Sequence, residues 1–427
     1  MSGNFGGTFA GRKSGLTIIQ YIGEIMKKLF KVLFKAWLVL VVVIIAFLFV
    51  YVHKDEWASK KKIDGIEAYA TSVSELKLPD DVKVISLGEA THGNKEFQLL
   101  KQIVFEKLIE KYDVKTFVLE MDMGEGAYVN DYIKNESDYT IDEIMSLISF
   151  EIYHTEEIKN MIEMMRDYNS DHNNELSFYG FDLQNPNMAV SYLIEQDIGL
   201  DETMLQPIAQ NDISLSDEDV QESIAYIKDI DDAKLEENYQ LLIQNIINAF
   251  EFYETADMND YVATNTLRDS YMADSVLAIA EVSETPIMIS GHNGHIAKSN
   301  VMYTSMGCML NDALGDGYYA IGTDYFYSDC NLPSGGERVT HKFCSADILA
   351  YQAKYMESGE YLLDFELAAE NEDLKELLNS YKNAGDIGEN YSFIMSILPS
   401  STRKKQVFTN LYDAMIFEYE AMPIEIQ

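Results

Sequence analysis

An α/β fold with a mostly parallel sheet flanked by helices is predicted for this 427-residue chain. Three observations predict it. Short apolar runs at 82–87, 116–119, 176–181, 286–290 and 318–322 alternate with amphipathic helical patterns at 95–112, 155–168 and 265–282. The runs are almost continuously apolar, as strands covered on both faces must be. Each run also ends in a polar or ionisable residue: Glu89 and His92, Glu120, Asp182, His292 and His295, and Asp324. Parallel strands bring such ends to one edge of the sheet, where open α/β sheets hold their ligands.

Two segments depart from the alternation. Residues 197–262 form a long acidic helical stretch, read as a cap or subdomain. Its Ser216-Asp217-Glu218-Asp219 marks a helix start with Ser216 as N-cap. Residues 355–427 read as a small appendix with strands at 361–367 and 414–419.

Charge and hydropathy divide the chain. Residues 1–62 carry a net +7, whereas 63–427 carry −46, for −39 overall. A body that acidic repels phosphate backbones, which excludes nucleic acid as a partner. Residues 36–52 are 17 consecutive apolar residues, just enough to cross a thin bilayer. Lys27, Lys28, Lys31 and Lys35 precede them. This basic flank predicts an inside N-terminus (1–35), a single span (36–52), a stalk (53–62) and an extracellular domain (63–427). No small-residue cleavage site follows Val52, so an uncleaved signal anchor at the cell membrane is expected over a signal peptide. Met26-Lys27-Lys28 resembles the usual opening of such a segment, so residues 1–25 read either as an upstream extension or as preceding a true start at Met26. Cys308, Cys330 and Cys344 give neither CxxC spacing nor a disulfide framework, although Cys330 and Cys344 could pair outside the cell.

The chemistry concentrates in Gly88-Glu89-Ala90-Thr91-His92-Gly93, which follows the first apolar run. A carboxylate and an imidazole three residues apart on a strand-to-helix turn suit proton transfer. The flanking glycines are expected to let the backbone turn and leave both side chains exposed. His292-Asn293-Gly294-His295 follows the fourth run in the same way. His92 is the candidate general base, because imidazole titrates near neutral pH. Glu89 or Glu120 would fix its tautomer, and His292 and His295 would hold a carbonyl oxygen or protonate a leaving group. A serine nucleophile is disfavoured, since Ser290-Gly291-His292 lacks a GxSxG frame. Glu89, His92, Glu120 and His292 are also competent ligands for a water-activating divalent ion. Metal-free activation, with no cofactor, is the preferred reading. His53, His154, His172 and His341 read as ordinary surface or core histidines.

These two motifs, with the segments between them, resemble the erythromycin esterase family. The resemblance extends through Val118-Leu119-Glu120, Thr155-Glu156-Glu157, Met165-Arg166-Asp167-Tyr168-Asn169 and Phe178-Tyr179-Gly180-Phe181-Asp182-Leu183-Gln184. It continues through Arg268-Asp269, Met272-Ala273, Met306-Gly307 and Tyr319-Ala320-Ile321-Gly322. It covers roughly residues 63–420 in order. It implies hydrolysis of a small-molecule ester, with macrolide lactones, and hence antibiotic resistance, as the named case. It also implies that Lys101, nine residues after His92, brings positive charge to the pocket; Asp182 is expected at the substrate. One departure stands out. The family often has a Trp before the Thr-Glu-Glu segment, where this chain has Ile152-Tyr153-His154. Two alternatives stay open: a metal-dependent hydrolase of a cell-envelope lipid, peptide or polysaccharide substituent, and a non-catalytic ligand-binding module.

Overall fold

The computed structural model describes residues 12–210, 215–299 and 302–427. The first eleven residues of the expected inside segment, and 211–214 of the expected cap, lie outside the described residues. The chain divides into two compact units, one ending at Trp57 and the other spanning Ala58–Gln427.

The first unit is carried by α1 (Arg12–Ser59). Its stretch Gln20–Ser59 contains an 18-residue window with a mean hydropathy of 2.9 and is long and apolar enough to cross a membrane. Its apolar side chains, Phe30 and Phe47 among them, stand exposed. The helix runs on through Lys54 to Ser59, so most of the expected stalk is helical.

The second unit is built on a nine-stranded sheet. Its strands are β1 (Ala70–Thr71), β2 (Val84–Glu89), β3 (Thr116–Asp122), β4 (Ser177–Asp182), β5 (Ile287–His292), β6 (Tyr318–Ser334), β7 (Glu337–Cys344) and β8 (Glu360–Asp364), with β11 (Ala414–Ala421). The order is β1-β8-β11-β6-β2-β5-β3-β4, with β7 paired to β6. The six strands from β11 to β4 run parallel. β1, β7 and β8 add antiparallel pairs. β9 (Lys382–Gly385) and β10 (Arg403–Gln406) form a separate ribbon. β2 and β3 are buried at every residue, which accounts for their continuously apolar sequence.

Strand order fixes where a site can form. The chain leaves β2 through α2 (Lys95–Tyr112) and passes over β5 to reach β3. It leaves β5 in the opposite direction and passes over β2 to reach β6. Right-handed crossovers of opposite sense lie on opposite faces and leave a crevice between the carboxyl ends of β2 and β5. Glu89 and His292 are register partners at that point.

The structure corrects several sequence expectations. Residues 355–427 are no appendix: β11 lies inside the main sheet beside β6, with Ala414 opposite Ile321, and β8 extends it. The strand expected at 361–367 ends at Asp364, whose carboxylate caps a short helix by accepting from Leu367 N–H. In the acidic stretch the N-cap is Asp217, not Ser216; it accepts from Asp219 N–H at 3.0 Å. Either side chain can cap, and the chain starts the helix one residue later. Among the described residues of this stretch lie the α-helices Glu202–Ala209, Glu218–Lys228 and Glu237–Thr255. Cys330 faces His341 and Cys344 faces Tyr327 across the β6–β7 hairpin, so these cysteines are not cross-strand partners.

Candidate active site

The Gly88–Gly93 turn is set by close packing rather than by an unusual backbone. Neither glycine adopts positive φ. A Cβ on Gly93 would meet the Asn331 carbonyl oxygen at 2.3 Å, and one on Gly88 would meet Asn293 Oδ1 at 2.0 Å. Glycine is required here because β6 and the segment after β5 press against the turn. Asn331 N–H and Ile424 N–H both donate to the Gly93 carbonyl. Asn94 donates to the carbonyls of Asp329 and Met422 and accepts from Thr91 Oγ1 at 2.6 Å. The expected exposure of the two functional side chains is also corrected, since Glu89 is fully buried.

Glu89 is the hub of one half of the site. Its Oε1 lies 2.8 Å from Lys101 Nζ, and its Oε2 lies 3.4 Å from His92 Nδ1. Gln98 Nε2 donates to Oε2 at 3.4 Å. Lys101 sits on α2, one of the helix's inward positions, and neither it nor Glu89 has any exposed side chain. Burial raises the Glu89 carboxyl, but Lys101 and His92 outweigh it and hold the group below its usual range. For His92, burial works against the charge, but hydrogen bonding and attraction to Glu89 leave its pKa raised above 6.5.

Glu120, next to the paired stretch of β3, is the hub of the other half. Its Oε2 accepts from His292 N–H at 2.7 Å, and a Cβ on Gly291 would come within 2.8 Å of the same oxygen. Its Oε1 lies 3.4 Å from His295 Nε2 and 3.5 Å from Arg268 Nη2. Burial opposes ionisation, but His295, His92, Arg268 and the His292 amide together pull its pKa down to about 2. His295 Nδ1 lies 2.9 Å from both Asp269 oxygens, and this flanking by carboxylates raises its pKa against the effect of burial. Arg268 donates through Nε and Nη2 to Asp182, at 3.1 and 2.6 Å. Asp182 also accepts from Gln184 Nε2 and Leu183 N–H, and is completely buried.

His292 differs from its neighbours. Its Nδ1 accepts from Gly294 N–H at 3.2 Å, which assigns the ring proton to Nε2. That Nε2 is buried and has no hydrogen-bond partner among the described residues. Burial, with positive potential from His92 and His295, pushes its pKa down to about 3. The His92 and His292 rings lie 5.1 Å apart. A pocket of about 270 Å³ opens beside them, lined by His92, Glu120, Phe150, Tyr153, Arg338 and Glu389 among others.

The structure thus gathers Glu89, His92, Lys101, Glu120, Asp182, His292 and His295 around one crevice. Asp324 is not among them. β6 continues ten residues beyond it, and its carboxylate accepts from Tyr325 and Gly385 N–H instead. His154 and His172 bond local carbonyls, and His341 stacks on Tyr391. Sequence reasoning gave no role to Arg268, Asp269 or Gln98. A charged pair inside the otherwise amphipathic helix Tyr261–Val282 was the available signal, but the Asp182 partner lies 86 residues away.

A family model described as erythromycin esterase matches residues 109–421. The chain belongs to the erythromycin esterase family. It is 26% identical over 300 residues to an erythromycin esterase type II of Escherichia coli, covering 58% of this chain and 70% of that one. The fold is shared with three solved structures. A succinoglycan biosynthesis protein has a TM-score of 0.67 at 19% identity, with 85% of this chain and 97% of that chain covered. A Bacillus cereus protein has 0.68 at 19%, with the same coverage. A mutant of the erythromycin esterase EreC in its open conformation has 0.54 at 14%, covering 80% and 91%.

In this erythromycin esterase family member Glu89, His92, Glu120 and His292, the residues weighed as alternative metal ligands, are engaged otherwise. Among the described residues no group of three or more His, Cys, Asp or Glu side chains is disposed to hold a metal ion. Lys101 already stands against Glu89 where a cation would sit, and Glu120 is committed to His295, Arg268 and the His292 amide. Lys101→Met is expected to cost about 3–5 kcal/mol, because it strands a buried carboxylate. Lys101→Met combined with Glu89→Gln should recover most of that loss. Denaturant unfolding of the single and double variants checks both; a double variant no more stable than the single would contradict the pairing.

Proposed function

We propose that this chain is a membrane-anchored ester hydrolase that activates water with His92. The observation that carries this reading is the disposition of two imidazoles. His92 Nδ1 stands 3.4 Å from Glu89 Oε2, an ion-pair contact rather than a formed hydrogen bond, and this attraction draws the ring proton to Nδ1 and leaves His92 Nε2 as a base. Gly294 engages His292 Nδ1, which leaves His292 Nε2–H as a donor without a partner among the described residues. A base that is neutral above its raised pKa and a neutral donor, on rings 5.1 Å apart, suit attack of water on a carbonyl.

On this reading His92 Nε2 takes a proton from water as the oxygen attacks the ester carbon. The oxyanion accepts a hydrogen bond from His292 Nε2–H, whose low pKa keeps the ring neutral. The His92 imidazolium is stabilised by Glu89, and it returns the proton to the departing alkoxide. Carboxylic acid and alcohol leave, and His92 is again neutral. His295, held between Asp269 and Glu120, fixes Glu120 and through it the His292 backbone. Lys101 keeps Glu89 ionised. Asp182 acts through Arg268, and its burial argues for positioning rather than contact with substrate. The relative named for erythromycin makes a lactone one candidate substrate.

The N-terminal helix supports a signal-anchor reading with residues 63–427 outside the cell membrane. External protease should then remove a C-terminal tag from intact cells; protection of the tag would reverse the orientation.

Activity should fall roughly 10²- to 10⁴-fold on His92→Ala, the range for a lost general base. Because Glu89 raises the His92 pKa, the base is lost as pH falls through a value above the ordinary 6.5. The acid limb of kcat/KM should therefore lie above 6.5 and move down in the Glu89→Gln/Lys101→Met double variant. A limb that stays in place would show that His92 is not the titrating group. Chelator should leave turnover intact.

A further inference from the structure

The mechanism leaves two buried polar atoms of the pocket unexplained. Tyr153 has no exposed surface, and its Oη has no hydrogen-bond partner among the described residues. Its ring is held in place by Lys101, whose ammonium lies 5.6 Å from the ring centroid. Glu389 gives Oε1 to Arg338 Nη1, but its buried Oε2 likewise has no partner. Both residues line the 270 Å³ pocket that also contains His92 and Glu120. Buried polar groups are normally satisfied, because leaving them unpaired is costly. One stranded donor and one stranded acceptor in the same pocket call for a ligand that both accepts and donates.

Resting on the hydrolase reading above, we propose that this pocket is a subsite for the hydroxyl-bearing part of a neutral, sugar- or polyol-like ester. A hydroxyl donates its hydrogen to Glu389 Oε2 and accepts from Tyr153 Oη–H, which no alkyl group can do. Charge argues for a neutral group. Arg338 is held by Asn331 through Nε at 3.2 Å and Nη2 at 2.9 Å, and its Nη1 meets Glu389 and, at 3.5 Å, Glu151. Its positive charge is thus opposed by two carboxylates, so an anionic substituent gains little there. An ammonium would in turn face Lys101 behind Tyr153 and Arg338 beside Glu389.

Size agrees with this assignment. The pocket lies just below the roughly 300–1,000 Å³ of sites that enclose drug-sized ligands. It takes a single ring or a short polyol, with Phe150 offering an apolar wall. Tyr153 lies in the Ile152-Tyr153-His154 stretch, where this chain departs from the tryptophan that the family often has. A tryptophan N–H only donates, whereas a phenol both donates and accepts.

The test compares three acetyl esters on the full-length chain in detergent: a monoacetylated methyl glucoside, propyl acetate and acetylcholine. The glucoside ester should exceed propyl acetate in kcat/KM by roughly tenfold or more, as expected for a paired hydroxyl. That ratio should collapse toward one in Tyr153→Phe and in Glu389→Gln. Turnover of propyl acetate with no preference for the glucoside ester would overturn the subsite and leave the hydrolase reading standing. A preference for acetylcholine would overturn it in favour of a cation site. Should none of the esters be turned over, the hydrolase reading fails and calorimetry decides the subsite. Methyl glucoside binding to the wild-type chain that weakens in both variants supports it, and absence of binding overturns it.

Discussion

A lysine ammonium and a glutamate carboxylate, 2.8 Å apart and without solvent exposure, meet where the sheet changes direction. Burying two charges this completely costs several kcal/mol each unless they satisfy one another. The pair therefore dictates much around it. Glu89 must sit at the end of β2, Lys101 must face inward two turns along α2, and the turn between them has little freedom. Glycine at position 93 lets β6 press close enough to hold that turn. Once Glu89 is fixed and ionised, His92 has only one ring nitrogen left for chemistry.

The second half of the site follows the same logic with more partners. Glu120 answers His295, Arg268 and the His292 amide, and Asp269 and Asp182 absorb the positive charge left over. Four carboxylates with lysine, arginine and histidine form a nearly closed electrostatic set at the carboxyl ends of β2 to β5. His292 Nε2–H and the second ring nitrogen of His92 take no part in these pairings. That contrast between saturated charges and unsaturated groups is what the proposed hydrolysis draws on.

Much of this was legible in the sequence, and the limits have physical causes. Helix 95–112 was read residue for residue, because its apolar spacing is regular and Asp113 ends it in a left-handed conformation. The strand ends at Glu89, Glu120, Asp182 and His292 were legible because parallel strands share an edge. Lys101 could not be told from a surface lysine, since its burial depends on Glu89 twelve residues earlier in a different element. Arg268 and Asp269 carry part of the family resemblance, but their roles are not legible because their partners Asp182 and His295 lie 86 and 26 residues away. Strand β11 was misjudged as an appendix because sheet position is a matter of long-range pairing. Bonds of Asn94, Lys95 and Gly93 with Met422 and Ile424 tie the C-terminal segment to the Gly88–Gly93 turn, which no local pattern in the sequence reveals.

The central claim is that Glu89 and Gly294 divide two adjacent histidines into a base and a neutral donor. Long-range proton–nitrogen NMR correlation of the imidazoles, followed across pH, tests it directly. The account predicts that His292 stays neutral with its proton on Nε2 until pH falls toward about 3, while His92 gains its charge above 6.5. A His292 that protonates near 6.5, or that carries its neutral-state proton on Nδ1, would contradict it.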